Sequence, residues 1–287
     1  MAENICGENQ TCSTCPSSGN CSIERERASL LVPQSSFNNV RHVLAVLSGK
    51  GGVGKSSLTG LLAIGLAKEG YRVGILDADI TGPSIPKIFG LTARPKQNEH
   101  GLLPVETTLG IKVMSLNLLL PEETEPVIWR GPLISSAIKQ FWTEVVWGDL
   151  DYLVVDLPPG TGDATLTVMQ SLPIDGIVMV SSPQELAVMI VTKALRMSEK
   201  MGVPLLGLVE NMSYALCPHC GEQIRLFGPS KVEETAAQTG LDLLAVLPLD
   251  PQLAELCDAG KIEEYGALPL NMVQELTKRI NAKEVSS

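Results

Sequence analysis

From His42 onward the chain alternates short apolar runs with longer mixed stretches. The runs lie at residues 43–47, 73–76, 152–155, 176–180, 205–209 and 243–247. Each is continuously apolar rather than alternating, the pattern of strands buried on both faces of a parallel sheet. Between them the spacing turns helical, most clearly after Gly54, where Leu58, Leu61, Leu62 and Leu66 recur on one face before Gly70 marks a stop. Strand and helix in repeated succession predict a doubly wound α/β domain with a mainly parallel sheet. Residues 94–110 break the rhythm and read as a surface excursion. Near the end, Leu270, Met272, Val273, Leu276 and Ile280 form an amphipathic stripe expected to pack on the domain itself.

Residues 1–37 look different: polar, without apolar period and holding four cysteines. They read as a cysteine-rich segment preceding a domain at 38–287, and a bound ligand is the expected source of their order. The chain of 287 residues is 44% hydrophobic, enough for one large core, and carries a formal charge of −10. That charge opposes capture by a nucleic-acid backbone, so nucleic acid is not an expected partner. The first ten residues lack a basic and an apolar region, and no apolar run approaches the roughly 20 residues that span a bilayer. A cytoplasmic protein without stable membrane insertion is expected. In a reducing compartment the clustered cysteines point to metal rather than disulfides.

The strongest chemical signal follows the first apolar run. Gly49-Lys50-Gly51-Gly52-Val53-Gly54-Lys55-Ser56 is a complete phosphate-loop motif, with Ser57 next to it, set between a strand and a helix. Its glycines let backbone N–H groups turn toward phosphate oxygens and the helix N-terminus adds positive potential. Lys55 reaches the terminal phosphates and Ser56 can ligate Mg²⁺. The run at 152–155 ends in Asp156, a carboxylate that supplies a second Mg²⁺ ligand, and Gly160 in the following loop can bring an N–H to the γ-phosphate. Asp77 and Asp79 end the run at 73–76, where ligands of open α/β sheets bind. Asp79 is the candidate for orienting the attacking water, with Asp77 in a supporting role.

Cys217 and Cys220 in Cys-Pro-His-Cys let two thiolates converge on one metal, but fill only half of a four-ligand centre. A two-fold dimer would supply the other pair, and iron–sulfur and zinc both suit such sulfur sites. His219 reads as a turn residue. Cys6, Cys12, Cys15 and Cys21, with spacers of five, two and five, can close around one metal centre within a chain. Cys257 stands apart and reads as a small buried residue.

Lys50 between the first two glycines resembles the deviant Walker A class of ATPases. Within that class, the segments DADITGPSIP at 77–86, WRGP at 129–132, DLPPGTGD at 156–163 and ENMS at 210–213 are similar to the Mrp/ApbC iron–sulfur carriers and their eukaryotic cytosolic scaffold relatives. The resemblance implies an ATP- and Mg²⁺-dependent homodimer in which Lys50 acts across the interface on the partner's nucleotide. It further implies that Asn211 contacts adenine beside residues 247–250, and that Cys217 and Cys220 hold a bridging [4Fe-4S] cluster. The portion from Cys12 to Cys21 resembles the N-terminal cluster motif of the scaffold ATPases, with a shorter first spacer. The function so implied is ATP-driven delivery of a [4Fe-4S] cluster to apo iron–sulfur proteins, in company with cluster assembly factors. The rival is a spatial-positioning ATPase similar to MinD and ParA with a structural zinc at the cysteine pair. A nitrogenase-reductase-like electron donor is disfavoured, because its cluster cysteines lie far apart in sequence.

Overall fold

The computed structural model describes residue 27 and residues 29–80, 82–120, 131–183 and 187–284. Cys6, Cys12, Cys15, Cys21, Trp129 and Arg130 lie outside the described residues. Twelve strands are described: β1 Asn39–Ser48, β2 Val73–Asp77, β3 Lys96–Asn98, β4 Gly101–Leu103, β5 Val105–Glu106, β6 Lys112–Ser115, β7 Asp149–Asp156, β8 Gly176–Ser181, β9 Leu205–Glu210, β10 Ala215–Leu216, β11 Gln223–Ile224 and β12 Leu243–Val246. The helices are α1 Lys55–Lys68, α2 Ile85–Ile88, α3 Gly131–Thr143, α4 Asp163–Ser171, α5 Ala187–Lys200, α6 Val232–Thr239, α7 Pro251–Asp258 and α8 Leu270–Glu284.

Eight strands make one sheet in the order β12-β9-β8-β1-β7-β2-β6-β5. All neighbours run parallel except β5, which pairs antiparallel with β6 at the edge. All six apolar runs are strands of this sheet. Their continuity has the expected cause: on β1, Val43, Ala45 and Leu47 face one core while Leu44 and Val46 face the other. One side is covered by α3, α4 and α5 through Ile138, Phe141, Val168, Met169 and Val191. The other is covered by α1 and α8 through Leu58, Leu61, Leu62, Leu66, Met272, Val273, Leu276 and Ile280. Each leucine of α1 removed from water contributes about 1.5–3 kcal/mol, so this helix is fixed under the phosphate loop by packing.

Residues 94–110 are more structured than their sequence suggests. They form the β3–β4 hairpin, and β5 joins the main sheet. β6 had no apolar-run signature, because Lys112–Ser115 is only four residues long and begins and ends polar. At the end of the N-terminal segment, Arg27 and Val32 are held by bonds to the α/β domain. Arg27 donates to Gly202 O and Ile174 O at 2.9 and 2.8 Å, Val32 N to Ser171 O at 2.9 Å, and Trp142 Nε1 to Val32 O at 2.8 Å.

Candidate functional site

Parallel register sets the site. Val46 on β1 pairs with Asp156 on β7, which pairs with Asp77 on β2, so three adjacent strands deliver their polar ends to one edge. The phosphate loop leaves β1 at that edge and runs into α1. Gly52 and Gly54 have φ of 80° and 78°, the left-handed region where a side chain is strained. A Cβ on Gly54 would also collide with Asn211 Nδ2. Glycine here both turns the chain and admits Asn211, whose Nδ2 donates to Val53 O at 2.9 Å.

Lys55, first residue of α1, is buried and places Nζ 2.9 Å from Asp156 Oδ1 and 3.5 Å from Asp79 Oδ2. Its ammonium is nevertheless a buried donor without a hydrogen bond among the described residues. A buried ammonium held by ion pairs alone suits an anionic oxygen arriving from the loop. Asp156 is fully buried and accepts from Ser56 Oγ at 2.6 Å and Thr59 Oγ1 at 2.8 Å. Ser56 and Asp156 are thus within one hydrogen bond, a separation that a hard cation with oxygen ligands can bridge. Gly160 N donates to Ser48 O at 2.7 Å, tying the loop after β7 to the start of the phosphate loop.

Asp77 lies beneath this group. It accepts from Ser115 Oγ at 3.1 Å and from the backbone N–H groups of Asp79 and Ile85 at 3.2 and 3.4 Å. Burial, then the nearby Asp156 carboxylate, push its carboxyl well above the usual range. That is a supporting position rather than a ligand position. Asp79 is buried beside Lys55, whereas Lys50 is exposed.

Of the expected residues, the geometry brings together Gly49 to Ser56, Asp79, Asp156, Gly160 and Asn211. Ser57 faces away, with Oγ 3.9 Å from Cys257 Sγ behind α1, and Cys257 is buried as expected. Thr59 was not anticipated. Its only sequence signal is its place one helical turn after Lys55, on the same face of α1.

The second site is a knuckle. β10 and β11 pair antiparallel, and the turn between them carries Cys217 and Cys220. Cys217 N donates to Glu222 O, and Gly221 N to Cys217 O, each at 2.9 Å. Hydrogen bonding from Cys220 and the backbone of His219 lowers the Cys217 thiol below its ordinary range. Cys220 and His219 are exposed and Cys217 is half-buried. Leu216 on β10, Ile224 on β11, and Leu226 and Phe227 just after β11 are exposed as well.

A two-sided parallel sheet with a phosphate loop after its first strand, and carboxylates at the ends of two neighbouring strands, defines a P-loop NTPase. The NUBPL iron-transfer P-loop NTPase model of the ParA group matches residues 39–282. The chain belongs to that family, and is an ATPase of the deviant Walker A, Mrp/ApbC kind. It is 45% identical over 273 residues to an iron-sulfur cluster carrier protein of Clostridium perfringens, covering 91% of this chain and 93% of the relative. A protein of the same description from Methanocaldococcus jannaschii is 44% identical over 256 residues, covering 87% of each. Among solved structures, a nucleotide-binding protein from Archaeoglobus fulgidus in complex with ADP is 45% identical, with a TM-score of 0.73 over 86% of this chain and 93% of that one. The cell division ATPase MinD of Pyrococcus furiosus shares the fold, with a TM-score of 0.58 at 19% identity over 83% of this chain and 99% of that one.

Proposed function

We propose that this ATPase is an iron–sulfur carrier whose homodimer holds a [4Fe-4S] cluster between the Cys217 and Cys220 pairs of two subunits and delivers it to apo-proteins. One observation carries the reading. Two cysteines sit in the turn of a knuckle whose strands expose Leu216 and Ile224, with Leu226 and Phe227 exposed just after it, half of a four-sulfur site among apolar side chains. Among the described residues no group of three or more His, Cys, Asp or Glu side chains is arranged to hold a metal alone. A second copy meeting the first there would complete the sulfur set and cover these apolar side chains. The carrier names of relatives at 44–45% identity support the same cargo.

In this account the amides of residues 49–54 and Lys55 take the phosphates, Ser56 and Asp156 take Mg²⁺, and Gly160 reads the γ-phosphate by giving up its N–H bond to Ser48 O. Asp79 orients the attacking water and Lys50 reaches the partner's nucleotide. Asn211, its Nδ2 engaged by Val53, keeps Oδ1 as an acceptor for the adenine amino group. Residues 38–287 form the ATPase unit, and Cys6, Cys12, Cys15 and Cys21 of the 1–37 segment hold a separate metal centre. Cytoplasmic apo iron–sulfur proteins are the recipients. No helix among the described residues is long and apolar enough to cross a membrane.

The spatial-positioning reading finds less support. Its lipid-facing candidate, the stripe on α8, spends Met272, Val273, Leu276 and Ile280 on the core under the sheet. Transfer is the direct test. The reconstituted chain, mixed anaerobically with an apo-hydratase that needs a [4Fe-4S] cluster, should restore hydratase activity, whereas Cys217→Ala should not. Equal restoration by free iron and sulfide in the presence of a chelator would refute the carrier role.

A further inference from the structure

Residues 211–214 join the phosphate loop to the cysteine knuckle by a very short route. At one end Asn211 Nδ2 is bonded to Val53 O, and Met212 Cε lies 3.5 Å from where a Cβ of Gly54 would stand. At the other end Tyr214 leads straight into β10, whose last residue, Leu216, precedes Cys217. The segment is stitched along its length. Asn211 N donates to Ser181 O at 2.8 Å, Ser213 N to Leu247 O at 2.9 Å, and Leu249 N to Tyr214 O at 2.7 Å. Ser213 Oγ donates to Glu210 Oε2 at 2.5 Å.

Inside this stitched segment Met212 has a φ of 58°, and it is the one non-glycine with positive φ among the described residues. In the left-handed region an L-residue crowds its Cβ against the following carbonyl. Such a conformation persists only where the surroundings over-determine it, and it concentrates at switch regions. Here the bonds to Val53, Ser181 and Leu247 do the holding, and the first of these ends on the nucleotide loop.

We propose that Met212 is a positioning residue that couples nucleotide state to the presentation of Cys217 and Cys220. The inference rests on the carrier reading above for its purpose, not for its geometry. A change in the loop at Val53 and Gly54 on binding or hydrolysis moves the Asn211–Met212 unit. Met212 then exchanges its left-handed conformation for an extended one, and the stitched residues to its C-terminal side pass that rotation to the knuckle. The device has two states biased from both ends, which coupling between sites requires.

The readout is the rate at which iodoacetamide alkylates Cys217 and Cys220 in the metal-free full chain, followed by mass spectrometry. It is measured without nucleotide, with Mg-ADP and with a non-hydrolysable Mg-ATP analogue, each saturating for the variant in question. For the wild type the rates should differ between nucleotide states by about fivefold or more. Met212→Gly removes the cost of the left-handed state and Met212→Ile raises it. The two should shift the nucleotide-free rate in opposite directions and each reduce the nucleotide response. Met212→Asn, which tolerates the left-handed region, should shift the rate the same way as glycine and stands in if the isoleucine variant does not fold. A wild type whose rate ignores nucleotide, or glycine and asparagine variants with an unaltered response, would overturn the coupling. Cluster uptake is scored separately. A chain that responds to nucleotide but takes up no iron and sulfide refutes the carrier reading and leaves the coupling standing, and a chain that takes up cluster without responding does the reverse.

Discussion

Lys55 and Asp156 form a buried ion pair at 2.9 Å where α1 meets the end of β7, and the lysine ammonium has no hydrogen bond among the described residues. The pair joins the cation proposed for the phosphates to the carboxylate proposed for Mg²⁺. Asp79, 3.5 Å from the same ammonium, adds the third charge. Burial keeps these charges strong and makes each dependent on the others.

Lys55→Ala removes the phosphate cation and should weaken ATP binding by about 100-fold, the loss expected for a charged hydrogen bond in a buried site. Lys50 is an exposed residue of the loop, so Lys50→Ala should keep most of the affinity while losing hydrolysis or nucleotide-dependent dimerisation. Titration calorimetry and a phosphate-release assay separate the two. Equal loss of affinity in both variants contradicts action across the interface.

Asp79→Asn keeps the shape of the side chain but removes its capacity to accept a proton from water. Turnover should fall by about 10²–10⁴-fold, the range for general-base catalysis, with ATP affinity changed far less. A normal hydrolysis rate would exclude Asp79 as the water-orienting acid.

Thr59 Oγ1 donates to the same carboxylate oxygen that meets Lys55. Thr59→Val leaves that buried oxygen short of a donor and should cost about 1.5–3 kcal/mol of stability in urea unfolding, with weaker Mg²⁺ dependence of nucleotide binding. Unchanged values for both would show that Thr59 has no part in holding Asp156.

Away from the site, hydrogen bonds from Arg72 hold Asp151 down at a pKa of about 2. An unfolded aspartate titrates near 3.9. A carboxyl depressed in the folded state stabilises the fold above about pH 4 and loses that contribution as pH falls through about 2. Asp151→Asn should therefore lower Tm at pH 6 and converge with the wild type near pH 2. A gap that persists at pH 2 would mean that packing, not charge, is responsible.

Much of this was legible in the sequence because its causes are local. Continuous apolar runs at β1, β2, β7, β8, β9 and β12 follow from burial on two faces, and the phosphate loop carries its geometry in its own glycines. What stayed hidden depends on residues far apart in the chain. Nothing near Thr59 announces Asp156, and nothing near Ser115 announces Asp77. β6 is too short for a periodicity to register, and the left-handed Met212 is imposed by Val53, Ser181 and Leu247 rather than by its own residue type. Arg27 likewise finds its carbonyl partners 147 and 175 residues away.

The claim that a cluster bridges two subunits at Cys217 and Cys220 is tested most directly by counting metal in the full chain with Cys6, Cys12, Cys15 and Cys21 all replaced by serine. After anaerobic reconstitution, iron and sulfide analysis combined with sedimentation should give about four iron and four sulfide per dimer, because each subunit supplies two of four thiolates. Adding Cys217→Ala should abolish both the cluster and the cluster-dependent dimer. A monomer that retains a complete cluster, or a dimer that keeps only zinc when iron is in excess, would contradict the account.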